Sequence, residues 1–188
     1  MSVNQKLEKV QTGEKRRQAA ALQKRFSLRG LYLLAAFGLY MTDQMTKAWA
    51  ARTLRFTADR VIVRKFLDFI YTQNNGIAFG QLQEGGAFMR WFFVILAIAA
   101  AIAVFYYFLK TPSNDDRVLG ACALLLAGIV GNLTDRLRLG YVIDFIVLHA
   151  GEYHWPTFNV ADASITIGAL LLALDLLFSR KRSVVRSP

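Results

Sequence analysis

Residues 88–109 read FMRWFFVILAIAAAIAVFYYFL, a run of 22 positions whose single charge, Arg90, stands near its start. A helix needs about 20 apolar residues to cross the hydrocarbon core of a bilayer, so this stretch is long enough to span. Phe88, Trp91, Phe92 and Phe93 open it with the aromatic cluster expected where a helix enters the headgroup region. Working outward, further runs meet the same requirement: roughly Gly30 to Trp49, Val118 to Leu137 and Phe158 to Phe178, the last stopped by Arg180, Lys181 and Arg182. The expected fold is a membrane all-α bundle of four transmembrane helices.

The 188 residues allow one domain, residues 30–178, between two basic tails, 1–29 and 179–188. The first tail is polar and is expected to be disordered in the cytoplasm. The net charge of +10 is not spread over a soluble amphipathic surface. It flanks the apolar runs, which argues against nucleic acid and for an orientation signal that also touches anionic lipid. An even number of spans puts both termini on one side. That side holds fourteen basic residues: Lys6, Lys9, Lys15, Arg16, Arg17, Lys24, Arg25, Arg29, Lys110, Arg117, Arg180, Lys181, Arg182 and Arg186. The opposite side holds eight, Arg52, Arg55, Arg60, Arg64, Lys65, Arg90, Arg136 and Arg138, the first five of them in one segment. The bias predicts cytoplasmic termini.

A basic start before an apolar run also describes a cleaved signal peptide. Here Asp43 and Lys47 occupy the far end of the run and no clean small-residue cleavage site follows, so the helix is expected to be retained. Cys122 is the only cysteine, which excludes an internal disulfide. Leu119-Gly120-Ala121-Cys122 mimics a lipidation motif, but no signal peptide precedes it and the thiol is expected in the core.

Two outer segments join the spans. The first, about Arg52 to Gly86, holds Val61-Ile62-Val63 and the aromatic-rich stretch Phe66 to Tyr71, then Gly76, Gly80, Gly85 and Gly86. It reads as short strands forming a small sheet between helices one and two, followed by a glycine-rich loop. The second, about Arg138 to Pro156, contains the apolar stretch 141–148, too short to span and expected to lie at the interface or dip into it.

The informative residues are polar groups at membrane depth, where a charge costs at least about 2.5–3.5 kcal/mol and so usually pairs or performs chemistry. Asp43 and Lys47, four apart, are expected to form a structural ion pair closing the outer end of helix one. Asn132, Asp135 and Arg136 share one face at the end of helix three, where the adjacent Asp135 and Arg136 could compensate each other or Arg136 could bind an anionic or carbonyl group. Asn159 and Asp162 stand three apart at the start of helix four, and Asp144 sits inside an apolar run between helices three and four. Two carboxyl groups in a poorly solvated site do not both ionise readily. One keeps a proton while the other accepts one from water, the division of labour that amide hydrolysis requires. Proton-coupled transporters also bury aspartates, and spacing alone leaves both readings open.

Five motifs appear in order: Asp43-Gln44-Met45-Thr46-Lys47, Asn74-Asn75-Gly76-Ile77-Ala78-Phe79-Gly80, Gly131-Asn132-Leu133-Thr134-Asp135-Arg136, Val142-Ile143-Asp144-Phe145 and Phe158-Asn159-Val160-Ala161-Asp162. Together they resemble bacterial lipoprotein signal peptidase, also called signal peptidase II, over about residues 30–178. The resemblance implies a four-helix aspartic peptidase of the inner membrane with an extracytoplasmic β-cradle, cutting precursors just before a cysteine that carries diacylglycerol. It implies Asp144 and Asp162 as the catalytic pair, Asn132, Arg136 and Asn159 around it, and Asn74 and Gly76 in the loop near the substrate. Asp43, Lys47 and Asp135 would be structural. The implied partners are a diacylglyceryl-modified prolipoprotein and membrane lipids, with no cofactor, and the chain is expected to act as a monomer. His149, Glu152 and His154 lack the zinc-motif spacing and are read as loop residues, so no metal is expected.

Overall fold

The computed structural model describes residues 3–56, 60–76, 86–151 and 153–184. Helix α1 runs Val3–Thr53, α2 Gly86–Lys110, α3 Asp116–Arg138 and α4 Val160–Val184. Among the described residues, three helical segments are long and apolar enough to cross a membrane: Phe88–Lys110, Asp116–Arg138 and Val160–Phe178. The expected span Gly30 to Trp49 belongs to α1 but falls short in mean hydropathy, because Asp43, Gln44 and Lys47 lie within it. Helix α1 also carries helical backbone from Val3 through the basic stretch for which disorder was expected. No proline interrupts that stretch, and its Lys, Glu, Gln, Ala, Leu and Arg residues are strong helix formers.

The centre of the bundle is α3: 67% of its apolar window is buried, against 11% for α2 and 17% for α4. Small residues let α4 approach it. A Cβ on Gly168 would lie 2.9 Å from the Ala121 carbonyl oxygen, and one on Gly128 would run into the Ala161 carbonyl. Such contacts replace hydrophobic driving force where lipid is the solvent. Toward the other end, Phe108 of α2 packs with Val118, Leu119 and Cys122 of α3, so the lone thiol is a core residue.

A four-stranded antiparallel sheet covers the end of the bundle where α1 and α3 finish and α4 begins. Its strands are β1 (Arg60–Val63), β2 (Leu67–Asn74), β3 (Val142–Ala150) and β4 (Tyr153–His154), in that order. Only half of it comes from between helices one and two. The stretch 141–148, expected to lie flat at the interface, forms most of an inner strand instead. Its β-branched and aromatic residues suit a pleated, half-buried surface, and β2 offers an open edge of backbone groups to pair with. The register runs Leu67↔Leu148 through Phe69↔Ile146, then shifts to Thr72↔Asp144 and Asn74↔Val142. Trp49, Phe69 and Phe145 meet edge to face, with centroids 5.5–6.2 Å apart, and fix the sheet onto the end of α1. Residues 77–85, which carry the expected glycine-rich loop, and Glu152 lie outside the described residues.

Candidate active site

Asn159 is the N-cap of α4. Its Oδ1 accepts a hydrogen bond from the Asp162 amide at 2.9 Å, and Asp162 Oδ2 accepts one from the Asn159 amide at 3.3 Å. This is a capping box, with the acid in the third helical position doing the return half. Capping leaves the other oxygen of Asp162 free, and Oδ1 accepts from Asn132 Nδ2 of α3 at 2.7 Å.

Asp144 comes from β3 and not from a helix end. It is buried, and its two oxygens are taken by two different amides: Oδ1 accepts from Asn159 Nδ2 at 2.7 Å and Oδ2 from Asn74 Nδ2 at 2.9 Å. Asn159 therefore links the two acids, one through its side chain and the other through its backbone. Burial raises the Asp144 carboxyl from 3.8 to about 6; the charge of Asp162 adds to the rise, and hydrogen bonds from Asn74 and Asn159 oppose it. The two acids occupy unlike environments, since Asp144 is buried and Asp162 is half-buried.

The amides are themselves oriented. Asn74 Oδ1 accepts from the Gly76 amide at 2.8 Å, which turns its NH2 toward Asp144. Gly76 has φ +79, and any Cβ there would overlap the Phe93 ring. On Phe93 rests the Arg136 guanidinium, 5.2 Å from the ring centroid. Asn132 Oδ1 accepts from Lys47 Nζ at 2.9 Å, so its NH2 must face Asp162.

Lys47 does more than close a helix end. Its Nζ lies 3.0 Å from Asp43 Oδ2 and 3.0 Å from Asp135 Oδ2, with all three groups buried. Asp135 also accepts from the Ile143 amide at 3.2 Å, and Asp43 Oδ1 accepts from the Ala161 amide at 2.9 Å. A compensating pair of the neighbours Asp135 and Arg136, one of the arrangements open to the sequence, is thus not what the structure has. Asp135 is committed to Lys47, and the bond from Arg136 is to the Asn132 carbonyl at 3.4 Å. All ten residues singled out in the sequence fall in this one network. Sequence reading missed Gln44, which donates to Asp43, Asp135 and the Gly131 carbonyl, and Phe93, the platform under Arg136. Gln44 lies one residue from Asp43, off the face that i, i+4 spacing selects, and Phe93 lies inside a run that reads as apolar throughout.

The fold and the network define a helical membrane-type protein with an amide-held pair of carboxyl groups, one buried and one half-buried, at one end of its bundle. Residues 35–178 match the model of the signal peptidase II family, and the chain belongs to that family. The lipoprotein signal peptidase of Cellvibrio japonicus is 37% identical over 157 residues, covering 84% of this chain and 92% of that protein. That of Acinetobacter baylyi is 39% identical over 158 residues, with 84% and 86% covered. A solved bacterial membrane enzyme superposes with a TM-score of 0.71 at 35% identity, covering 81% of this chain and 91% of its own. Family membership makes the chain a peptidase and sets the transporter reading aside.

Proposed function

We propose that this protein is an aspartic endopeptidase that removes signal peptides from diacylglyceryl-modified prolipoproteins, cutting just before the lipidated cysteine at the outer face of the cytoplasmic membrane. The observation that carries the reading is the pairing of Asp144 and Asp162 through Asn159, in a site where burial already favours a protonated carboxyl. The reaction requires the pair to hold one proton when substrate is bound. The ionised carboxylate takes a proton from water as the water oxygen attacks the scissile carbonyl, and the protonated carboxyl donates to the carbonyl oxygen. Collapse of the tetrahedral intermediate breaks the C–N bond as a proton passes to the departing nitrogen. The products are a signal peptide ending in a carboxylate and a free amino group on the lipidated cysteine. Incubating the purified protein with such a precursor should release the signal peptide, and an intact precursor would refute the assignment.

In this reading α1 supplies the fourth span. Its polar Asp43 and Lys47 are buried while Leu31, Leu34 and Phe37 are exposed, the distribution expected of a helix whose solvent is lipid. Both termini are then cytoplasmic, the sheet is extracytoplasmic, and the substrate arrives laterally through the bilayer. An impermeant thiol reagent applied to intact cells should leave a Ser2→Cys, Cys122→Ala variant unlabelled. Labelling there would invert the topology.

Arg136 acts in recognition. Its planar fork, steadied on Phe93 and free of the Asp135 carboxylate, suits oxygen atoms of the substrate backbone or lipid ester; a lysine has no equivalent geometry. Arg136→Lys is expected to lower steady-state cleavage by on the order of a hundredfold, as misplacement of a substrate by about 1 Å does, with unchanged thermal stability. Normal turnover would return Arg136 to a purely structural role.

A further inference from the structure

Five of the eight basic residues on the outer side crowd into positions 52–65, and nothing in the peptidase chemistry uses them. Three sit on one hairpin. β1 and β2 are joined by a tight turn, closed by a bond from the Phe66 amide to the Val63 carbonyl at 2.9 Å, with Lys65 held at φ 64. β1 is one of the two edge strands of the sheet. Arg60, Arg64 and Lys65 are exposed, and among the described residues none of them is in an ion pair. The described acid on the two strands, Asp68, lies 2.8 Å from His149 Nε2 instead.

Between these cations stand apolar side chains that the fold does not cover. Val61 is 60% exposed, Ile62 46%, Val63 49% and Phe66 56%. In water an uncovered β-branched edge strand invites association, and its charges would only blunt it. In this fold the hairpin begins seven residues after the last residue of α1, at the end of the bundle where the proposed spans leave the bilayer. There the same combination has a partner: apolar side chains enter the headgroup boundary, and Arg and Lys extend their stems to place their charges at phosphates.

We propose that the hairpin tip, Val61 to Phe66, is a foot that docks on anionic phospholipid headgroups at the extracytoplasmic surface. The proposal rests on the spanning arrangement above. Through the β2–β3 ladder the foot holds Asn74 and Asp144 at headgroup level, the depth of the ester-linked lipid of the proposed substrate. Each cation near an anionic surface contributes about fivefold to such docking, and added salt weakens it.

The test is a fluorophore on an Ile62→Cys, Cys122→Ala variant in vesicles of zwitterionic lipid, or of the same lipid with anionic phosphatidylglycerol, each carrying a quencher near the headgroups. Quenching is expected to be strong with the anionic lipid, to fall with salt, and to fall to the zwitterionic level on adding Arg60→Gln, Arg64→Gln and Lys65→Gln. Equal quenching in both lipids, or none in either, overturns the proposal, as does protection of the label by an acidic polypeptide in preference to anionic vesicles. A second label, at Leu96→Cys in the middle of α2, tests the premise separately. It must be quenched by a probe deep in the acyl chains whatever the headgroup, and failure there strikes at the spanning arrangement and not at the foot. The triple variant should keep its activity in detergent and lose stimulation of cleavage by anionic lipid.

Discussion

Asp144→Asn and Asp162→Asn are each expected to lower cleavage about 10²–10⁴-fold, the range that positioned proton transfer supplies. Groups that act as a unit are not additive, so the double variant should be little worse than either single one. Stability separates this outcome from a folding defect, and its sign can be worked out for Asp144. Its folded pKa is raised from 3.8 to about 6, chiefly by burial. A carboxyl raised in this way contributes stability that is fully present below the unfolded value and is lost as pH rises through about 6. At neutral pH the ionised group is therefore a burden on the fold. Asparagine relieves it, at the loss of one acceptor worth about 1 kcal/mol among the bonds from Asn74 and Asn159. Asp144→Asn should melt no lower than the parent at pH 7, and should lack the parent's loss of stability between about pH 4 and 6. Near-normal turnover of Asp144→Asn would end the assignment of the pair.

Lys47→Met is expected to be the most destabilising single change, by about 3–5 kcal/mol, the usual cost of removing one partner from a buried ion pair. Asp43 and Asp135 would both lose their cation within a buried site. Catalysis should fall too. Asn132 Oδ1 would lose the donor that fixes its orientation, and with it the reason for its NH2 to face Asp162. Adding Asp43→Asn removes one of the stranded charges and should recover part of the stability. Unfolding of both variants in detergent, read beside the parent, gives the answer; a Lys47→Met protein as stable as the parent would leave the buried trio without energetic weight.

Three of the helices were legible because hydrophobic length is a local property, and the positions of the acids were legible because charge is conspicuous in an apolar sequence. Neither kind of signal reports which strand pairs with which. Residues 141–148 show a short apolar run, which serves an interfacial segment as well as a strand; only the open edge of β2, about seventy positions earlier, decides it. The same holds for Asp135. Its neighbour in sequence is Arg136, but consecutive helical residues point about 100° apart, and α1 brings Lys47 to it from across the bundle. Asn159 and Asp162 were the easier case. Their spacing of three is the spacing of a cap, so the geometry that starts α4 also sets the acid.

The partners of α1 also carry a consequence for synthesis. Lys47 bonds to Asn132, 85 residues further along the chain. At about 5–20 residues per second the ribosome makes that amide on the order of 4–17 seconds after the lysine. Through that interval the nascent helix holds a cation and an acid without α3, which carries their partners Asn132 and Asp135. The i, i+4 contact between Asp43 and Lys47 lets the two charges neutralise each other within one turn. In the proposed four-span arrangement, a pair that later belongs to a wider network first serves as a temporary dressing, under which α1 enters the bilayer ahead of α3.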